Sequence, residues 1–195
     1  MKVANVRPGK SKGYITVVIS SDGDRQSFNI SECDYAEAGS PRPSDTVDSD
    51  MLSVLRRSDE EYRARLYALR ILSYADNNER TLVRKLVSRG ISSSLAAEVA
   101  REMVSRGYID ERRQLERLIL AEANRNLTGP RKIRLKLAAK GYSPEDIDVT
   151  IERLSESGEI DFERSSELLI EKKLTRGATD EEIKKLLYKN GYSIC

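Results

Sequence analysis

The densest run of side chains able to do chemistry lies between positions 131 and 140. It contains five cations and no acidic residue: Arg131, Lys132, Arg134, Lys136 and Lys140. Lys132, Lys136 and Lys140 recur every four residues, so in a helix they share one face. Guanidinium and ammonium groups bind phosphates and carboxylates, and like charges this close together repel without a partner. The pattern indicates a contact surface for phosphates or acidic protein side chains, while a solvated helix face is the alternative.

Basic residues recur at related positions upstream. A second group consists of Arg84, Lys85 and Arg89. Lys85 and Arg89 lie 51 residues before Lys136 and Lys140, and a third copy shifts its lysines by one residue. Because recurrence favours a binding role, we predict that this group is a secondary contact site.

Catalytic chemistry finds little support. The chain has no histidine, the commonest general base and a frequent metal ligand, and Cys33 and Cys195 lack the spacing of a zinc site. No glycine-rich phosphate loop or nucleophile elbow is present. Nearly all acidic residues fall in mixed charge runs or at predicted helix starts, where they interact favourably with the helix dipole. We expect a protein that is not an enzyme, with no catalytic residue, no cofactor and no metal site.

Composition narrows the class of protein. Of 195 residues, 34% are charged and 38% hydrophobic, and the net charge is only +2. This suits thin helical modules, and any attraction to nucleic acid must come from local segregation of charge. No apolar run approaches the roughly 20 residues of a membrane span, and we expect no signal peptide. Unpaired cysteines favour a reducing compartment, so we expect a cytoplasmic monomer that does not bind membranes.

The elements that must position these cations repeat along the chain. Three similar stretches, 82–92, 133–143 and 183–193, contain Gly90, Gly141 and Gly191, which lie 51 and then 50 residues apart. A period of this length is typical of a repeated supersecondary unit. Capping side chains in front of each leucine-patterned segment and glycines behind it predict the helix ends. Each unit is predicted to hold three helices, with the last unit stopping after its second helix, before Cys195.

The N-terminal segment has the composition of β-strands. Residues 14–19 are rich in β-branched side chains, residues 25–30 alternate in part, and Asp22-Gly23 suits the tight turn between them. Residues 3–6 are a candidate third strand, because an isolated hairpin is marginally stable. The predicted fold class is therefore mainly α, with tandem three-helix repeats preceded by a small β-hairpin segment.

The chain divides into four predicted segments. These are 1–47, the hairpin and linker; 48–109, the first repeat with its leading helix; 110–160, the second repeat; and 161–195, the third, incomplete repeat. In the first repeat a short helix at 51–55 precedes a longer one at 59–73, whose apolar side carries Tyr62, Leu66, Leu69 and Leu72. The residues that follow the glycines, Tyr108, Tyr142 and Tyr192, are expected to pack against helix ends rather than stack on bases.

These motifs resemble the RecX family, regulators of the bacterial recombinase RecA. The likeness includes residues 68–73 leading into 79–86, Arg89-Gly-Ile-Ser92 and Gly107-Tyr-Ile-Asp110. Its most specific part is Gly129-Pro-Arg-Lys-Ile-Arg-Leu-Lys-Leu137, followed by Lys140-Gly141. The chain departs from the family pattern at Arg113-Gln-Leu115, where the family commonly has an aromatic residue.

The resemblance implies an elongated, curved array that binds in the deep groove of the RecA–DNA filament. There it modulates ATP hydrolysis and strand exchange in homologous recombination, DNA repair and the SOS response, with inhibition the expected direction. The partner on this basis is the RecA filament, contacted through the basic residues named above. The alternatives are direct binding of DNA by the basic helices and a helical scaffold for another protein.

Overall fold

The structure is a computed structural model that describes residues 1–21, 23–175 and 177–193. Contacts divide it into two compact units. The first unit comprises Met1–Ala75 and Leu82–Ser105, and the second comprises Asp76–Thr81 and the described residues from Arg106 onward. The predicted segment boundaries after residues 47, 109 and 160 stay predictions. Within the described ranges, no helix combines the length and the apolar character that crossing a bilayer requires.

The first unit begins with a three-stranded antiparallel sheet. Its strands, in spatial order, are β1 (Lys2–Pro8), β2 (Tyr14–Ser21) and β3 (Asp24–Ser31). Apolar side chains of one face, including Val17, Ile19 and Ile30, form a core with residues of the helix that packs on the sheet. The predicted hairpin and its third strand are confirmed. Gly23 in the turn has a φ of 92°, and Asp22 lies outside the described residues.

A short helix and one long helix follow the sheet. They are α1 (Glu32–Glu37), which was not predicted, and α2 (Ser49–Tyr74). The prediction of two separate helices in the α2 region is wrong. The polar residues Ser58 and Asp59, which lie where the longer helix was predicted to begin, are buried and bind β3. Ser58 Oγ accepts a hydrogen bond from Ser31 N at 3.2 Å, and Asp59 Oδ1 accepts one from Asn29 N at 2.9 Å.

The buried side of α2 also differs from the prediction. Leu66 and Leu69 are 44% and 37% exposed, whereas the fully buried positions include Ala64 and Ala68. Small side chains permit close packing, and the pattern of large apolar residues alone does not reveal this.

On the neighbouring side of α2, Arg65 Nε donates to Glu102 Oε2 of helix α4 (Ser93–Ser105) at 2.7 Å. Helix α3 (Glu79–Val87) lies between α2 and α4 in the sequence. Its predicted core residues, Leu82 and Leu86, are fully buried.

The second unit contains the remaining helices. They are α5 (Glu111–Leu120), continued by a π-helical segment (Ala121–Arg125), and then α6 (Pro130–Lys140), α7 (Pro144–Glu156), α8 (Phe162–Leu174) and α9 (Asp180–Asn190). The predicted N-caps are confirmed, because the side chains of Asp110, Ser143, Asp161 and Thr179 each accept a backbone N–H of the following helix. The core includes Ile133 and Leu137 of α6 and Ile147, Ile151 and Leu154 of α7.

The end of α9 abuts the start of α6, and we call this contact the α9–α6 joint. Gly129 N donates to Asn190 O at 2.8 Å, and Arg131 N donates to Gly191 O at 3.3 Å. The negative end of one helix dipole therefore satisfies N–H groups at the positive end of the other, where no side chain caps α6. A Cβ on Gly191 would lie 2.4 Å from Lys132 N, and one on Gly129 would lie 2.6 Å from Gly191 C. The two helix ends can approach this closely because both positions are glycine.

A related joint connects the end of α6 with the first turn of α3. Asn78 Nδ2 and Thr81 Oγ1 donate to Lys140 O at 3.1 and 3.3 Å. Asn78 stands 51 residues before Gly129, and Lys140 stands 50 before Asn190. The same repeat position thus satisfies the same terminal carbonyl, with a side-chain amide in one joint and a backbone N–H in the other.

Of the three tyrosines that follow helix-ending glycines, two pack as predicted in these joints, and the prediction is wrong for Tyr108. Tyr142 and Tyr192 are buried, and their hydroxyls donate to Gln114 Oε1 at 3.3 Å and Leu127 O at 3.0 Å. Burial raises the pKa of both phenols. Tyr108, in contrast, is 54% exposed.

Replacing Asp59 with alanine is expected to destabilise the first unit. Asp59 Oδ1 also accepts Asn29 Nδ2 at 3.3 Å, and Oδ2 pairs with Arg63 at 2.8 Å. The change leaves the part-buried Asn29 N–H without its acceptor, which costs about 1–3 kcal/mol. Urea unfolding followed by circular dichroism measures the loss. The control is Glu60→Ala at the exposed neighbouring position, and equal unfolding midpoints for the two variants would contradict the assignment.

Gly191→Ala is expected to destabilise the α9–α6 joint. Its control is Gly158→Ala, because Gly158 has a φ of 76° and a Cβ there meets nothing within 4 Å. Both variants carry the strain of a left-handed residue, about 1–2 kcal/mol. Only Gly191→Ala adds a clash with backbone, so we expect it to lose at least about 2 kcal/mol more in thermal unfolding. Similar losses in both variants would mean that the joint is not tightly packed.

Candidate binding surface on helix α6

Helix α6 directs its cations outward because two of its apolar residues, Ile133 and Leu137, are held inside. Pro130 occupies the first turn, and Gly141, with a φ of 99°, ends the helix. Ile133 and Leu137 are fully buried in the core of the second unit. The predicted residues Arg131, Lys132, Arg134, Lys136 and Lys140 therefore lie at the outward or flanking positions of one helix. We call this set the α6 surface.

Two cations of the α6 surface are neutralised within the chain. Lys136 Nζ lies 2.6 Å from Glu122 Oε2 of the π-helical segment, and Arg134 Nε binds Asp148 Oδ1 of α7. Burial raises the pKa of Glu122, but hydrogen bonds, led by that from Lys136, and the charge of Lys136 lower it below its usual value overall. Glu122 is therefore ionised at neutral pH. Arg134 and Lys136, which the sequence also offers as contact candidates, thus already have an acidic partner within the chain.

The other three cations have no acidic partner among the residues that the structure describes. Arg131 donates to Tyr188 O at 2.9 Å, and its guanidinium carbon lies 4.1 Å from the centroid of the Tyr188 ring. Lys132 Nζ donates to the neutral amide of Asn190 at 3.2 Å. The side chain of Lys140 is exposed. Positive charge is therefore left for an external anion at Arg131, Lys132 and Lys140.

Two apolar neighbours of these cations were not singled out by the sequence. Leu135 is 68% exposed, and Tyr188 of α9 is 58% exposed. Leu135 lies one turn after Arg131 on the same face of α6 and outside the core stripe, and this spacing is visible in the sequence. The contact between Tyr188 and Arg131 depends on the α9–α6 joint, and no local signal predicts it.

The secondary basic group lies in the first unit. Arg84 and Lys85 are exposed on α3, and Arg89 follows the helix. The guanidinium of Arg89 lies 5.5 Å from the centroid of the Tyr67 ring, within a cleft of about 430 Å³. Two arginines that sequence reasoning missed, Arg56 and Arg63, also line this cleft, and their separation of seven residues places them on one side of α2.

These surfaces can bind anions through guanidinium and ammonium groups. Among the described residues, no cluster of three or more His, Cys, Asp or Glu side chains has the arrangement of a metal site. The basic group of α3 and the α6 surface belong to different units, and each is a separate binding candidate.

Comparison with known sequences identifies relatives of one kind. No family model matches the chain. Regulatory protein RecX of Trichlorobacter lovleyi is 30% identical over 105 residues, which are 53% of this chain and 67% of that protein. RecX of Oceanobacillus iheyensis is 21% identical over 185 residues, or 95% of this chain and 66% of the relative. RecX of Leuconostoc mesenteroides is 21% identical over 116 residues, which are 60% of this chain and 43% of that protein. The match thus spans less than two thirds of the last two relatives.

Solved structures share the fold. A crystal structure of regulatory protein RecX aligns over 98% of this chain and 94% of its own, with a TM-score of 0.75 and 20% identity. A crystal structure of RecX from Lactobacillus salivarius aligns over 69% of this chain and 90% of its own, with a TM-score of 0.61 and 20% identity. The mainly helical fold with a small N-terminal sheet is therefore confirmed. With a relative that is 30% identical over two thirds of its length, the chain belongs to the RecX family of regulatory proteins.

Proposed function

We propose that the chain regulates RecA by binding in the groove of the RecA–DNA filament, where it inhibits ATP hydrolysis and strand exchange without catalysing a reaction itself. The observation that carries the proposal is the set of cations on the α6 surface without an acidic partner in the described chain: Arg131, Lys132 and Lys140. Membership in the RecX family supports the choice of partner.

Arg131 and Lys132 are already ordered in the free protein, which favours binding to a partner. Hydrogen bonds of the α9–α6 joint order Arg131 and Lys132 before any partner arrives, which lowers the entropy lost on binding. Uncompensated positive charge also steers a protein toward an acidic surface and fixes its orientation there. A protein seated in the filament groove then obstructs the movements that hydrolysis and strand exchange require. Arg84, Lys85 and Arg89 are the proposed secondary contacts.

Direct binding of DNA is a second candidate function, favoured by the same unneutralised cations. Lysine and arginine side chains that neutralise phosphates release counterions, so affinity falls steeply with salt. If this function holds, bare single-stranded DNA binds the protein as tightly as the RecA filament does.

The test is a titration of RecA ATPase activity on single-stranded DNA with the wild-type chain and a double variant, Lys132→Glu/Lys140→Glu. We expect wild type to inhibit at or below one molecule per RecA subunit. In the double variant two attractive charges become repulsive, so the concentration for half-maximal inhibition should rise about tenfold or more.

The matched control is Lys10→Glu/Lys12→Glu, the same change of charge at two exposed lysines between β1 and β2. We expect this control to inhibit like wild type. No effect of wild type over the whole range would refute RecA regulation. Equal inhibition by both double variants would mean that the α6 surface is not the contact.

A further inference from the structure

The outward side of α6 is not purely cationic. Leu135 is 68% exposed and lies one turn after Arg131, while Arg131 stacks on Tyr188, which is 58% exposed. We call these three side chains the Leu135 patch. The patch combines an apolar side chain, a guanidinium and an aromatic ring.

Core packing does not explain the exposed leucine. Ile133 and Leu137 occupy the buried positions of α6, and Leu135 lies about 200° around the helix from each of them. A single exposed leucine is ordinary on a protein surface. Here, however, it lies one turn after an arginine that is already fixed by a hydrogen bond of 2.9 Å and by the Tyr188 ring. Ordered arginine and tyrosine side chains beside an apolar contact are typical of the energetic centres of protein interfaces.

The charge around the patch indicates the kind of partner. Lys132, which lies about 60° around α6 from Leu135, carries no acidic partner among the described residues, and Arg131 lies within the patch itself. An acidic surface therefore complements this rim. A nucleic-acid backbone supplies negative charge but no apolar group to cover a leucine, whereas a protein segment supplies both.

We propose that the Leu135 patch binds a protein segment in which an apolar side chain is flanked by aspartate or glutamate. This inference rests on the proposed function, because it assigns the α6 contact to the protein component of the filament rather than to its DNA. The leucine supplies affinity by burial, and the surrounding cations supply orientation and dependence on salt.

The experiment measures equilibrium binding of Leu135→Ser to RecA filaments assembled on single-stranded DNA with a slowly hydrolysed ATP analogue, by co-sedimentation at several salt concentrations. We expect binding to weaken about tenfold to a hundredfold, because a leucine buried in the complex is lost. The dependence on salt should stay that of wild type, since no charge changes. Because Leu135 is exposed in the free protein, the thermal unfolding midpoint of the variant should not fall below that of wild type.

The matched control is Val149→Ser on α7, where the valine is 65% exposed. It lies beside Asp148 and near Asp146 in sequence, acids that disfavour an acidic partner. We expect this control to bind like wild type, and we expect Leu135→Ser to leave the affinity for bare single-stranded DNA unchanged.

Two results overturn the inference alone. One is binding of Leu135→Ser to filaments within twofold of wild type. The other is an equal loss of affinity for filaments and for bare DNA, which would assign the patch to nucleic acid. A wild-type chain that does not bind filaments at all overturns the proposed function, and this inference with it.

Discussion

The candidate surface depends on one contact, in which the carbonyls ending α9 accept the N–H groups that begin α6. Gly129 and Gly191 permit it, because a Cβ on either would lie within 2.6 Å of backbone. The same contact brings Tyr188 and Asn190 of α9 to Arg131 and Lys132. The α6 surface is therefore a product of two helices. A change that loosens the joint would disorder these cations without touching their charge.

The period of the sequence follows from the same geometry. The end of α6 meets Asn78 and Thr81 at the start of α3 much as the end of α9 meets α6. Helix dipoles meet head to tail at each joint, and terminal carbonyls find donors that the helix itself does not provide. Gly141 and Gly191 recur because these turns require a residue with left-handed backbone geometry. Their recurrence therefore reflects how the helices pack and does not indicate a binding site. The charges differ from one repeat to the next, and in our proposal they, rather than the glycines, select the partner.

Local signals were sufficient for the strands, the helix caps and most core leucines and isoleucines, because these depend on near neighbours in sequence. The continuity of α2 was missed, since Asp59 is stabilised by Asn29 at a separation of 30 residues. The pairing of Lys136 with Glu122 and of Arg134 with Asp148, each 14 residues apart, depends on how α6 packs on its neighbours. Residue spacing identified the basic helix, but only packing distinguishes its neutralised cations from the remaining ones.

The most direct test of the claim that α6 contacts the filament is the chemical reactivity of individual lysines. Wild-type protein would be acylated with and without RecA filaments at concentrations that inhibit the ATPase, and each modified lysine quantified by mass spectrometry. We expect the filament to lower the reactivity of Lys132 and Lys140 several-fold and to leave Lys10 and Lys12 unchanged. Unchanged reactivity at Lys132 and Lys140 under inhibiting conditions would contradict the claim.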